Sequence, residues 1–135
     1  MEEMDYYKIN ETMDNSFCQL PKSLFFNTLY KGKVGLEAKV LYSFLLDRLS
    51  LSIKNGWCDG DGKVYLIFTR KTAQEILELS DKTVTKAFKQ LEECNLIREK
   101  RQGNNKPNRI YIGKIKHDNT LETLARKNSV SPNRK

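Results

Sequence analysis

Thr69-Arg70-Lys71-Thr72-Ala73-Gln74-Glu75-Ile76-Leu77-Glu78-Leu79-Ser80-Asp81-Lys82-Thr83-Val84-Thr85-Lys86-Ala87-Phe88-Lys89-Gln90-Leu91-Glu92-Glu93 is the stretch on which the reading of this chain turns. Thr69 is a suitable N-cap for a short helix with Ala73, Ile76 and Leu77 turned inward, although Thr72 and Glu75 offer a capping box that would start it three residues later. Ser80 caps a second helix running from Asp81 to about Glu93. At about 100° per residue, Val84, Ala87, Phe88 and Leu91 of this helix share one arc, while Lys82, Thr83, Thr85, Lys86, Lys89 and Gln90 fill the other. Helix faces on soluble proteins usually mix charge signs, yet this one has no carboxylate from Lys82 to Gln90. Such a face suits the negative potential of a duplex groove, where lysines meet phosphates and threonine or glutamine can reach base edges. A solvated helix face would look the same in isolation, so its neighbours decide.

Downstream, Leu96-Ile97-Arg98-Glu99-Lys100-Arg101 and Arg109-Ile110-Tyr111-Ile112-Gly113 flank the polar turn Gln102 to Asn108, which reads as a β-hairpin. Its tip offers Arg101, Gln102, Asn104, Asn105, Lys106, Asn108 and Arg109, long donors without an acid among them. Two short helices with a tight junction followed by a basic hairpin is the order of a winged helix-turn-helix, with the second helix in the major groove and the hairpin as wing. The expected fold class is therefore α+β, mostly helical with a small antiparallel sheet. Arg70 and Lys71, on the first of the two helices, complete the expected DNA-contacting set.

Upstream, Leu36 to about Ser52 is helical by periodicity. Leu36, Val40, Leu41, Phe44, Leu45 and Leu49 form the apolar face, and Lys39, Ser43, Asp47 and Ser50 the polar one. Leu46 and Leu51 widen the stripe, a surplus that a dimer interface or deeper burial could use. Phe17, Leu20, Pro21, Leu24, Phe25 and Phe26 form a shorter apolar segment, with Pro21 suited to a first helical turn. Asn55 to Gly62 is a loop, and Val64 to Phe68 after it reads as a strand. Asp59 and Asp61 lack the further oxygen ligands of a calcium loop.

The whole chain has 135 residues, 39% hydrophobic and 30% charged, and a net charge of +7. Residues 1–62 carry seven Lys/Arg against nine Asp/Glu, and residues 63–135 carry seventeen against eight, so the positive charge sits with the helix-turn-helix and hairpin. That imbalance reads as a footprint for a polyanion. Cys18, Cys58 and Cys94 are far apart and His117 is the sole histidine, which argues for reduced thiols and against a metal site. No cofactor is expected. No apolar run is long enough for a membrane span, and the acidic start is unlike a signal peptide, so a cytoplasmic location is expected. Residues 1–15 read as a mobile arm, 16–116 as the DNA-binding domain, and 117–135, with little apolar periodicity apart from Leu121, Leu124 and Ala125, as a linker.

The string from Thr69 to Val84, continued by Phe88-Lys89-Gln90-Leu91-Glu92-Glu93-Cys94-Asn95-Leu96-Ile97, resembles the generic winged helix of bacterial regulators. More specific are Phe17-Cys18-Gln19-Leu20-Pro21-Lys22-Ser23-Leu24-Phe25, Ala38-Lys39-Val40-Leu41-Tyr42-Ser43-Phe44-Leu45-Leu46-Asp47-Arg48, and Asn55-Gly56-Trp57-Cys58-Asp59 leading to Val64-Tyr65. Together they resemble the N-terminal domain of the plasmid replication initiator protein A family of low-GC Gram-positive, staphylococcal-type plasmids, over about residues 15 to 116. The resemblance implies binding of double-stranded DNA at repeated origin sites (iterons) to start replication, usually as a homodimer. It also implies copy-number control if DNA-bound dimers pair, and host replication proteins reached through a C-terminal domain beyond this chain. Trp57 and Tyr65 belong to the signature, and their expected role is packing of loop and strand against the long helix. The rival readings are a transcriptional repressor of the same fold and a winged helix turned to protein interaction. An enzyme is not expected, because no nucleophile–histidine pair or Gly-rich phosphate loop is present.

Overall fold

The structure, a computed structural model, describes residues 3–12 and 15–117. Six elements follow in order: α1 (Ser23–Phe26), α2 (Leu36–Asn55), α3 (Arg70–Leu77), α4 (Asp81–Glu93), β1 (Ile97–Lys100) and β2 (Arg109–Ile112). The expected fold class is what is found, a mainly helical body carrying a two-stranded antiparallel sheet.

Local chemistry sets the helix-turn-helix. The Thr69 hydroxyl accepts the Thr72 N–H at 3.1 Å, so α3 begins at Arg70 and the alternative box at Thr72 and Glu75 is not used. Glu78 takes a left-handed conformation (φ 54°) and ends α3. The Ser80 hydroxyl then accepts the Thr83 N–H at 3.2 Å and starts α4. Each cap satisfies a backbone donor that the first helical turn leaves open. Ala73 is buried and Leu77 half-buried, but Ile76, expected inside, is 40% exposed.

Val84, Ala87, Phe88 and Leu91 are all buried, so the apolar stripe of α4 is sunk in the core as its periodicity requires. That helix packs against α2, α3 and β1. The inner face of α2 is centred on Ala38, Leu41, Tyr42 and Leu45, which is rotated from the face expected. Leu36 lies at the open end of the helix, 62% exposed, and Ser43, expected on the polar side, is buried. Burial of Ser43 is tolerated because its hydroxyl donates to the Val40 carbonyl at 2.7 Å.

In the hairpin, Ile97 pairs with Ile112 and Lys100 with Arg109. Gly103 (φ 116°) and Asn105 (φ 62°) take the positive φ that the turn demands, which is why Gly and Asn stand there. The strand expected at Val64 to Phe68 is reduced to single bridges. Val64 bridges to Cys58 and Leu66 to Ile110, so the segment divides its backbone between two partners and builds no ladder. Leu66 and Ile110 exchange both hydrogen bonds, at 2.9 and 2.8 Å, which ties the segment to the hairpin as a rudimentary third strand.

The hairpin leaves through a tight exit. The Gly113 N–H donates to Leu96 O at 2.8 Å, and a Cβ at this position would run into the Asn95 carbonyl oxygen. Tyr42 donates to Gly113 O at 2.7 Å, Asn27 to Lys116 O at 2.8 Å, and the Lys116 N–H donates to the Tyr30 hydroxyl at 3.0 Å. Ser23 and His117 Nδ1 meet at 3.1 Å. These bonds tie the segment after the hairpin, Gly113 to His117, back to α1, α2 and the turn between them. Of the expected arm, residues 3–12 hold no helix or strand and are exposed throughout. The expected linker, with Leu121, Leu124 and Ala125, lies outside the described residues apart from His117.

Candidate nucleic-acid interface

Lys82, Thr85, Lys86 and Lys89 stand on the outer face of α4, all exposed and none with a hydrogen bond or ion pair among the described residues. From Lys82 to Lys89 the face spans about 10 Å of helix axis at about 1.5 Å per residue. Over that length it presents three ammonium groups and one hydroxyl, with no carboxylate. An anionic surface could approach it without displacing any partner among the described residues.

Thr83 and Gln90 depart from this expectation. Both sit at the edge of the face and are half-buried. The Thr83 hydroxyl accepts from the Ser80 hydroxyl at 3.0 Å and so belongs to the cap. Gln90 turns toward α2, where its Oε1 accepts the Gly35 N–H at 2.9 Å. Gly35 is the N-cap of α2 and has no side chain with which to cap, and the third helical position is Ala38, which cannot reach back. Gln90 therefore supplies from another helix the acceptor that a capping box would place locally. Its carbonyl is withdrawn from base reading.

The supporting helix and wing divide in the same way. Lys71, Arg101, Asn104, Asn105 and Lys106 are exposed and unpartnered among the described residues. Arg70 is not free: its guanidinium lies 3.7 Å from the centre of the Phe88 ring and donates to Glu99 Oε1 at 2.7 Å. Arg109 stacks 4.2 Å over Tyr65 and donates through Nε to Gln102 Oε1 at 3.1 Å. Gln102 in turn donates to Pro107 O at 2.8 Å, and Asn108 to Glu99 Oε2 at 3.2 Å. Of Arg70, Gln102, Asn108 and Arg109, all expected to face DNA, Arg70 and Arg109 thus brace the hairpin against the body, and Gln102 and Asn108 brace it internally. For Arg70 and the Arg109 ring contact the reason is packing between segments distant in sequence, and for Gln102 and Asn108 it is the fold of the hairpin back on itself, which places a carbonyl or a carboxylate within reach of each donor.

Asp59 was missed at this level. Its Oδ1 accepts the N–H groups of Asp61 and Lys63 at 2.9 and 3.0 Å, and its Oδ2 accepts the Tyr111 hydroxyl at 3.1 Å. These bonds, that from Lys63 foremost, hold its carboxyl below the usual range despite the opposing effect of desolvation. Asp59 thereby moors the 57–63 loop to β2. Trp57, expected to pack this loop, is 46% exposed, and its backbone carbonyl rather than its ring engages Tyr65, accepting that residue's N–H at 3.2 Å. Glu99 was also missed, though strand alternation carried the signal: Ile97 and Glu99 point inward in β1 while Arg98 and Lys100 point out.

Among the described residues, no group of His, Cys, Asp and Glu is gathered as metal ligands, and no helix is long and apolar enough to cross a membrane. Burial raises the Cys94 thiol above its ordinary value.

A capped two-helix turn whose second helix buries one face and frees a basic one, followed by a braced hairpin, defines a winged helix-turn-helix domain. Residues 16–126 match the family described as the replication initiator protein A (RepA) N-terminus, and the chain belongs to that family. It is 29% identical over 123 residues to a 41 kDa protein of Lactobacillus helveticus, covering 87% of this chain but 35% of the relative, so the chain spans about a third of that protein's length. Among solved structures it is similar to the N-terminal domain of a DNA-binding protein, with a TM-score of 0.71, 35% identity, and coverage of 96% of this chain and 100% of the other. A Rep–DNA complex matches with a TM-score of 0.71 and 35% identity, over 95% of this chain and 99% of the other. An MDR initiator matches with a TM-score of 0.69 and 35% identity, over 92% and 98%.

Proposed function

We propose that this chain is the DNA-binding module of a replication initiator, which sets the outer face of α4 into the major groove of repeated sites in a plasmid origin. The observation that carries this reading is the α4 surface itself: Lys82, Thr85, Lys86 and Lys89 exposed, unpaired among the described residues and without an acid between them. Three phosphate-seeking lysines supply affinity that falls with salt, and Thr85 supplies a hydroxyl short enough to read a base edge. Arg101, Asn104, Asn105 and Lys106 at the wing tip, with Lys71, extend the contact to the flanking backbone or minor groove.

Similarity to the structure of a Rep–DNA complex supports the duplex as partner, and family membership favours initiation over repression. The reading makes the chain a binding module that catalyses nothing and needs no cofactor. It acts in the cytoplasm, where the plasmid is. A homodimer fits repeated sites, and it is supported by apolar side chains in the open on α2 (Leu36, Leu51, Ile53) and before α1 (Phe17, Leu20). Pairing of DNA-bound dimers would then restrain copy number, and host replication proteins would be engaged by a further domain.

Footprinting of the parent replicon's origin with this chain, repeated across a salt series, tests the proposal. Evenly spaced protected repeats should survive at salt concentrations that abolish binding elsewhere. Uniform protection that fades everywhere at the same salt would reduce the activity to general polyanion affinity. A monomeric mass by sedimentation at tens of micromolar, both free and on the duplex, would remove the dimer.

A further inference from the structure

Three parts of the surface would meet the duplex; two of them, α3 and the wing, bond to one carboxylate, and the third, α4, is reached from it through Arg70. Glu99 lies on the inward side of β1, its side chain 14% exposed in the midst of basic neighbours. Oε1 accepts from Arg70 at the start of α3, and Oε2 accepts from Asn108 on the returning limb of the wing. Arg70 in turn covers the ring of Phe88, which is buried in α4. Phe68, Thr69 and Arg70 on one side and Lys106, Pro107 and Asn108 on the other line a cleft of about 360 Å³, with Glu99 between them. The wing limb therefore stands beside the start of the helix-turn-helix without being packed onto it. Glu99 is the polar tie across the gap.

The structure assigns Glu99 as a positioning residue for sequence-specific binding, an inference that rests on the DNA-binding function proposed above. A carboxylate facing a duplex directly would be repelled, so its place behind the surface needs a reason. By engaging both oxygens it sets the separation of the wing from α4, and that separation decides whether wing and helix can reach their two stretches of duplex together. It also keeps the Arg70 guanidinium from roaming to any nearby phosphate, which would add affinity blind to sequence. Loss of Glu99 should therefore lower the preference for the right site more than it lowers binding. A purely structural role would lower both in proportion.

The probes are a duplex enriched by the wild-type chain from a randomised 20-base-pair library and poly(dI-dC) as non-specific competitor. If wild type enriches no duplex, the DNA-reading function itself fails, an outcome distinct from those that follow. Glu99→Ala should reduce the ratio of selected to non-specific affinity about tenfold, comparable with one lost base contact. Its affinity for poly(dI-dC) should be unchanged or higher, with a salt slope no shallower than wild type. Asn108→Ala, at an exposed position where folding is not at risk, should lower the same ratio several-fold. Because Asn108 acts through Glu99, the double variant should be no worse than Glu99→Ala alone. Equal fractional losses on both probes would overturn the assignment, as would an Asn108→Ala ratio equal to wild type or losses that multiply in the double variant.

Discussion

Replacing Lys86 and Lys89 by Gln tests the recognition face quantitatively. Both side chains are exposed and neither has a partner among the described residues, so the substitution removes two charges and should leave the fold in place. Each lysine that meets a phosphate contributes about 0.9 to the slope of log K against log salt concentration, so the double variant should lose about 1.8 units of slope. If the curves converge near 1 M salt, each lost contact costs about fifteenfold in affinity at 50 mM and about fivefold at 150 mM. For the pair this becomes about two hundredfold and about thirtyfold. Fluorescence anisotropy with a labelled origin duplex at four or five salt concentrations measures slope and affinity together. Gln90→Ala is the matched control on the same helix. It removes the acceptor of the Gly35 N–H, so it should lower stability by about 1 kcal/mol in denaturant titration while leaving the salt slope unchanged. A double Lys variant with the wild-type slope would take α4 out of the interface, whatever the absolute affinity.

Thr85→Ala should relax base preference at a single position by about 1 to 3 kcal/mol without altering the salt slope, as read by competition with single-base variants of the site. Gly113→Ala should destabilise the domain by about 1 to 3 kcal/mol in urea, because the new methyl meets the backbone of Asn95, not a side chain that could swing away. Wild-type stability of this variant would refute a close approach of the hairpin exit to the Asn95 backbone. Burial, aided by the neighbouring Tyr30, pushes the Tyr42 phenol from its ordinary value near 10 up to about 12. The unfolded chain then releases this proton at lower pH than the folded one, so stability is full below about pH 10 and falls by about 3 kcal/mol as the pH rises to about 12. Tyr42→Phe should lose that much less over the same interval, and parallel curves for the two proteins would show that Tyr42 titrates normally.

What the sequence determined by itself was whatever depends on neighbours a few residues apart. Thr69 and Ser80 cap because their hydroxyls reach N–H groups three residues on, and the α4 stripe follows from a period of about 3.6 residues. The hairpin was legible from two apolar runs about a Gly/Asn turn, so helix-turn-helix, wing and the outward lysines of α4 all follow from local pattern. Tertiary structure decided which long polar side chains stay free. Arg70 and Glu99 are 29 residues apart, and Gly35 and Gln90 are 55 apart. Helical period puts Gln90 nearer the buried stripe than Lys89, but no local pattern says that it meets the Gly35 N–H or that Arg70 meets Glu99. The same holds for burial of Ser43, exposure of Leu36 and Trp57, and the division of Val64 to Phe68 between two partners. A local rule fixes where a side chain points from its own helix or strand, but whether it meets water, a ring or a carboxylate depends on what the rest of the chain packs opposite it.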